Sequence, residues 1–141
     1  MTKWIKRSGI ALAIALGAAQ LVPVMRSNPI ERNFPQAPAE IQALMRRSCN
    51  DCHSNETQWP WYAQLAPASF LIARDVKGGR GKLNFSMWDT YDEARKARKK
   101  KEIAKEVKRG DMPPWYYVPL HPRAKLSAQE RELIVKWATQ S

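Results

Sequence analysis

The string Cys49-Asn50-Asp51-Cys52-His53 sets two thiols three residues apart, with an imidazole directly after the second. This is the C-x-x-C-H spacing of a covalent haem attachment site. Each thiol can add across one of the two vinyl groups of haem b, giving two thioether bonds. One helical turn then places the imidazole of His53 under the iron as proximal ligand. The chain has no other cysteine, so the motif accounts for both. Two other chemistries compete. A thiol redox pair needs a βαβ setting and a low-pKa cysteine near a helix start; here there are no convincing strands, and Cys49 falls at a helix end. A zinc site from Cys49, Cys52, His53 and His121 is possible by count, but zinc spacing does not call for histidine directly after cysteine.

A six-coordinate electron-transfer haem also needs a distal ligand, and a methionine thioether is a usual one. Met112 sits in Asp111-Met112-Pro113-Pro114, where two prolines stiffen the strap that carries it. It follows His53 at a distance that leaves room for two helices around the macrocycle. The competitors are His121 in Pro119-Leu120-His121-Pro122, Met87 between Ser86 and Trp88, and an open position. A buried core methionine is the plain alternative for Met112. Trp59 and Trp61 are candidate haem contacts, and Trp88 and Trp115 share with them an equal expectation of simply filling a core.

The elements that must position these groups read as helices. Residues 37–49 form a first helix with Pro38 at its start, and Ile41, Leu44, Met45 and Ser48 share one face. It delivers Cys49 to the haem. Residues 54–62 read as a polar, then aromatic loop. A second short helix starts at Pro67 with Phe70, Leu71 and Val76 inward, and Gly78, Gly79 and Gly81 are expected to end it. These glycines do not form a phosphate loop, since no Walker pattern or preceding strand is present. Residues 90–109 form a third helix, with Thr90 and Glu93 as capping box, Gly110 as C-cap and a thin stripe of Ala97, Ile103, Ala104 and Val107. The last helix starts at the capping box of Ser127 and Glu130 and buries Leu133, Ile134 and Trp137. It is expected to cross the first helix and close the fold. His53 should donate its free N–H to a backbone carbonyl, with the neighbourhood of Pro67 the candidate.

Charge and hydropathy organise the rest. The 141 residues carry 24 basic and 13 acidic side chains, a net charge of +11. Nine basic residues and two acids lie between Arg95 and Arg109, so the third helix holds nearly all the net charge of the domain. Such a run is either a solvated face or a docking surface for an acidic redox partner or anionic headgroups. At the N-terminus, Lys3, Lys6 and Arg7 precede the uncharged stretch Ser8 to Met25. As one helix this stretch would span about 27 Å, near the roughly 30 Å hydrocarbon core. It is expected to be an uncleaved transmembrane anchor rather than a signal peptide with Gly17 and Ala19 as the small residues before the cut. The positive flank then puts the remainder on the outer, periplasmic side of a bacterial inner membrane. That location disfavours nucleic acid as partner. The expected organisation is an anchor over residues 1–25, a proline-containing tether over 26–36 and a haem-binding domain over 37–141.

The strings CNDCHSNETQWPWY (Cys49 to Tyr62), Ala66 to Val76 with Asn84-Phe85-Ser86, and DMPPWYYVPLHPRAKLSAQE (Asp111 to Glu130) carry a resemblance. The order of parts is similar to class I cytochromes c. More closely, the chain from residue 26 resembles the bacterial haem-binding domain family of membrane-anchored monohaem cytochromes. The resemblance implies a mainly α fold, a small cytochrome c-like helical domain wrapped around one haem. It implies one haem c, attached at Cys49 and Cys52 and ligated by His53. The class I pattern carried further puts Met112 at the distal position. The basic run at 95–109 is not explained by it.

Two functions follow as expectations. One is a membrane-anchored carrier of single electrons, with both axial positions filled and no catalytic group, so not an enzyme. The other is a haem-based sensor or small-ligand-binding subunit with a displaceable sixth ligand. A peroxidase is weaker, because no distal acid–base pair is identifiable.

Overall fold

The computed structural model describes residues 2–30 and 33–140. Among these residues there are six α-helices and three short 3-10 turns, and no strand. The helices are α1 (Thr2–Gln20), α2 (Ala39–Ser48), α3 (Asn50–His53), α4 (Ala68–Lys82), α5 (Glu93–Arg109) and α6 (Ala128–Thr139). The mainly helical architecture is the one expected; the expected transmembrane helix is not found among the described residues.

Helix α1 stops at Gln20, short of the end of the uncharged stretch. Pro23 explains the stop. It has no N–H to offer the Ala19 carbonyl, and it disfavours helical backbone at Val22. The chain unwinds instead through a turn in which Leu21 and Val22 donate to Ala18 and Ala19. The uncharged part of the helix, Ser8 to Gln20, is therefore about 20 Å long against a hydrocarbon core of about 30 Å. No helix among the described residues is long and apolar enough to cross a membrane. This overturns the expected anchor over residues 1–25, and with it the inner-membrane, periplasm-facing placement that rested on it.

After α1 the chain runs extended, and it lies against the helical body. The Gln20 amide donates to the Ala66 carbonyl and accepts from the Ala66 N–H. Arg26 donates to the carbonyl of Ala63. Arg80 of α4 gathers four acceptors: the carbonyls of Ser27 and Ser54, the Asn28 side-chain oxygen and the Thr57 hydroxyl. Phe34 packs on Phe85 with ring centroids 5.3 Å apart, and the Arg46 guanidinium lies over the Phe34 ring at 4.4 Å.

One core joins the remaining helices. Ile41, Leu44 and Met45 of α2 meet Ile103, Ala104 and Val107 of α5 and Ile134, Trp137 and Ala138 of α6. Leu83, Phe85, Trp88 and Tyr91 close it from the segment between α4 and α5. Helix α6 packs mainly along α5 and also touches α2. The capping box of Ser127 and Glu130 is present, with the carboxylate accepting from the Ser127 N–H at 2.8 Å.

Three local expectations are corrected. The N-cap of α5 is Asp92, whose carboxylate accepts from the Arg95 N–H at 2.7 Å; the Thr90 hydroxyl instead donates back to the Met87 carbonyl. Helix α4 runs straight through Gly78, Gly79 and Gly81 to Lys82. Among the described residues only Gly110, the C-cap of α5, takes a positive φ, of 81°. Of the three residues expected inward on α4, Val76 is buried while Phe70 and Leu71 are exposed.

Candidate functional site

Helices α2 and α3 are nearly continuous, broken at Cys49, where φ −126° and ψ −30° leave the helical region. The break keeps Cys49, Cys52 and His53 on one wall, since the Cys49 carbonyl still accepts from both the Cys52 and His53 N–H groups. That wall borders a cavity of about 510 Å³, within the roughly 300–1,000 Å³ of cofactor pockets. Met112 lines the same cavity, as do Met45, Leu83, Phe85, Ile103 and Val107. The structure thus brings together Cys49, Cys52, His53 and Met112 around one mostly apolar space.

The state of His53 is set by its neighbours. Its Nδ1–H donates to the carbonyls of Gly79 at 3.1 Å and Leu83 at 3.0 Å, at the C-terminal end of α4. The expected backbone partner is therefore found, but at α4's far end and not near Pro67. With Nδ1 carrying the proton, Nε2 keeps its lone pair and makes no hydrogen bond among the described residues. That is the tautomer a metal-ligating histidine needs. Phe85 fixes the other side of the ring, with centroids 6.3 Å apart. Burial holds the His53 pKa below the ordinary 6.5, against the two carbonyl acceptors that would raise it. Before haem is loaded, the folded ring stays neutral while the unfolded chain takes up a proton below about pH 6.5. The stability tied to this group is fully present above that pH and is lost as pH falls toward the depressed folded value. Urea midpoints of the haem-free chain should therefore fall between about pH 7.5 and 5.5, and fall less in His53→Gln. An equal pH dependence in the variant would contradict the buried neutral ring.

Close approach of α4 to the cysteine turn builds this wall. A Cβ added at Gly79 would sit 2.3 Å from the Cys52 carbonyl oxygen. Gly78 and Gly81 have nothing within 4 Å. Position 79 is thus the one glycine of the three that the site requires. Sequence reasoning missed this role, because the glycine cluster looks like a helix end in one dimension.

Burial pushes the Cys49 thiol up to about 12 and the Cys52 thiol to about 11. Both stay protonated at neutral pH, which does not suit thiolate redox chemistry. Among the described residues, no group of three or more His, Cys, Asp or Glu side chains is arranged to hold a metal ion. His121 does not line the larger cavity; it lines a smaller one that also borders Cys52. Its ring stacks on Tyr117 at 3.9 Å, its Nδ1–H donates to the Tyr117 carbonyl, and its Nε2 accepts from the Tyr62 hydroxyl at 3.1 Å. Both nitrogens are engaged, so the His121 alternative for distal ligand has no geometry behind it here. Met87 packs at the edge of the core and does not line the cavity.

Met112 is placed by the end of α5. Gly110 in left-handed backbone lets the Asp111 N–H return to the Glu106 carbonyl at 3.1 Å, a helix-ending turn of the Schellman type. Arg131 of α6 then donates to the carbonyls of Val107 and Met112, each at 3.1 Å. The strap is thus tied to two helices.

Neither Trp59 nor Trp61 lines this cavity. Trp61 is 75% exposed, and Trp115 83%. The Trp59 indole nitrogen is buried with no partner among the described residues. Trp88 lies in the core. Aromatic residues unforeseen as site residues are closer: Tyr116 and Tyr117 line the cavity, and the Tyr117 hydroxyl donates to Asp51 at 2.6 Å, inside the C-x-x-C-H turn. Burial, reinforced by that bond, raises the Tyr117 pKa, so its hydroxyl remains a donor. A nearly apolar cavity of about 150 Å³ lies beside Cys52 and shares Asp51, Tyr116 and Tyr117 as walls.

The residues present fit a haem. The His53 tautomer leaves a free nitrogen lone pair, the walls are mainly apolar, and a buried Ser48 hydroxyl on the cavity lacks a partner among the described residues. Fold and site together define a small helical haem-binding domain. A family model described as a haem-binding domain matches residues 14–140, and the chain belongs to that family. No curated protein and no solved structure matches the chain.

Proposed function

We propose that this chain is a monohaem c-type electron carrier, its haem held by thioether bonds at Cys49 and Cys52, with His53 as proximal and Met112 as distal ligand. One observation carries the reading: a single cavity is bordered by both cysteines, by an imidazole whose free nitrogen is Nε2, and by a thioether on a braced strap. Bound haem would supply one-electron iron chemistry. The rest belongs to the chain. Gly79 and Leu83 hold the imidazole and make it a better donor. Arg131 and the two prolines keep Met112 from moving when the charge at the site changes, so little reorganisation accompanies transfer. Tyr117 holds Asp51, and with it the turn between the cysteines.

Replacement of Met112 by alanine tests the reading. The haem-loaded Met112→Ala chain should keep its haem, bind carbon monoxide readily when reduced and show a lower reduction potential, because a neutral soft sulfur that favours ferrous iron is gone. An unchanged potential with no carbon monoxide binding would remove Met112 from the site. Ready carbon monoxide binding by the unmodified chain would favour the ligand-sensing alternative.

A further inference from the structure

Helix α5 spends its charges unevenly. Five of its nine bases from Arg95 to Arg109 are used within the chain. Arg95 lies over the Tyr91 ring at 4.0 Å and Lys100 over Trp137 at 5.2 Å. Lys96 pairs with Glu93 at 2.8 Å, Lys99 with Glu102 at 2.5 Å and Arg109 with Asp111 at 2.9 Å. The other four are Arg98, Lys101, Lys105 and Lys108. All are exposed, and none has an ion pair among the described residues. Their spacing is three, four and three residues. At about 3.6 residues per turn they fall within an arc of about 80°, along about 15 Å of helix. The helix's three acids do not interrupt this arc: Glu93 pairs with Lys96 in the first turn, and Glu102 and Glu106 line the haem cavity, beside Ile103 and Val107. The four unpaired bases thus share one stripe of the helix that holds no acid.

We infer that Arg98, Lys101, Lys105 and Lys108 form the docking stripe for an acidic protein surface, the redox partner of the carrier proposed above. The inference rests on that reading for the partner's role. Charge complementarity selects the partner. Four unpaired cations, one every 5 Å or so, match a row of carboxylates. A lipid surface fits less well, because interfacial helices carry large apolar side chains beside their bases. The exposed large apolar residues of this protein include none from α5. A contact without an apolar anchor is small, wet and short-lived, as electron-transfer encounters are. The stripe lies across one helix from the cavity, about 10 Å, so a partner seated on it is near the haem without covering it.

The test uses the haem-loaded full chain with fluorescent poly-L-glutamate as probe and, in parallel, phosphatidylglycerol vesicles. Lys101→Glu with Lys105→Glu should weaken poly-glutamate binding by about tenfold or more, and the binding should weaken steeply with salt. Lys77→Glu with Arg123→Glu changes the net charge equally on other exposed elements, and should cost less than about threefold. Zero-length carbodiimide cross-links to the probe should map to Lys101, Lys105 and Lys108. Equal losses in the two double variants, cross-links elsewhere, or vesicle binding that depends on the stripe while poly-glutamate binding does not, would each overturn the proposal. The haem spectrum and potential are recorded on the same samples. If they fail to show a carrier, the functional reading falls; if they hold and the stripe does not matter, only this docking surface falls.

Discussion

Gly79→Ala is expected to disrupt the haem site, while the same substitution two residues later, at Gly81, is expected to help the protein. The added methyl at position 79 lands 2.3 Å from the Cys52 carbonyl oxygen, 3.0 Å from its carbon and 3.1 Å from its Cβ. Backbone cannot turn aside as a side chain can. Either α4 or the cysteine turn must move, and the Gly79 and Leu83 carbonyls that hold His53 ride on α4. Overpacking of this kind costs about 1–3 kcal/mol, and more where backbone is the obstacle. That is a large share of a small domain's stability, about 5–15 kcal/mol. At Gly81, which does not line the cavity, nothing lies within 4 Å and the backbone is helical, so alanine should stabilise by about 0.5–1 kcal/mol. Denaturant midpoints of the three proteins, with haem content after expression, check the pair. If Gly79→Ala matches the unmodified chain in both, α4 and the cysteine turn are not in the contact described here.

The second large effect concerns attachment. In the chain carrying both Cys49→Ala and Cys52→Ala, His53 and the cavity remain, so haem should still bind, but acid–acetone should extract all of it. Single replacements should each leave one thioether and keep haem on the chain in lower yield. From the unmodified chain, matured in cells with c-type machinery, no haem should be extracted. Extraction from the unmodified chain would end the covalent reading while leaving the haem-binding family intact. Equal resistance of the double variant would mean that attachment lies elsewhere.

What the sequence made legible was chemistry written at short range. The spacing of Cys49, Cys52 and His53 needs only one helical turn to become a wall, and the Ser127–Glu130 capping box is likewise local. The stripe of Ile103, Ala104 and Val107 follows from helical period alone. The misses come from contacts between distant segments, or from one residue outweighed by a pattern. Gly79 reads as a helix breaker until Cys52, 27 residues earlier in the chain, is laid against it. Phe70 and Leu71 read as core, yet α4 turns Val76 inward to meet that contact. Trp61 reads as a haem contact by its aromatic company, but its side chain lies exposed, and Tyr116 and Tyr117 after the methionine strap take the cavity instead. At the N-terminus the length of the uncharged stretch outweighed Pro23, which ends the helix. The partner of His53 was right in kind and wrong in place, since any nearby carbonyl serves and only the path of α4 decides which.

The most direct test of the central claim, haem held between His53 and Met112, is the optical spectrum of the haem-loaded chain, oxidised and reduced, with and without carbon monoxide. Ligation by His53 and Met112 predicts low-spin iron in both states, sharp reduced bands, a weak red-end band from sulfur ligation in the oxidised form, and no change on adding carbon monoxide. A high-spin spectrum that shifts with carbon monoxide would contradict the Met112 ligation and the carrier role together. No haem spectrum at all would contradict the site itself.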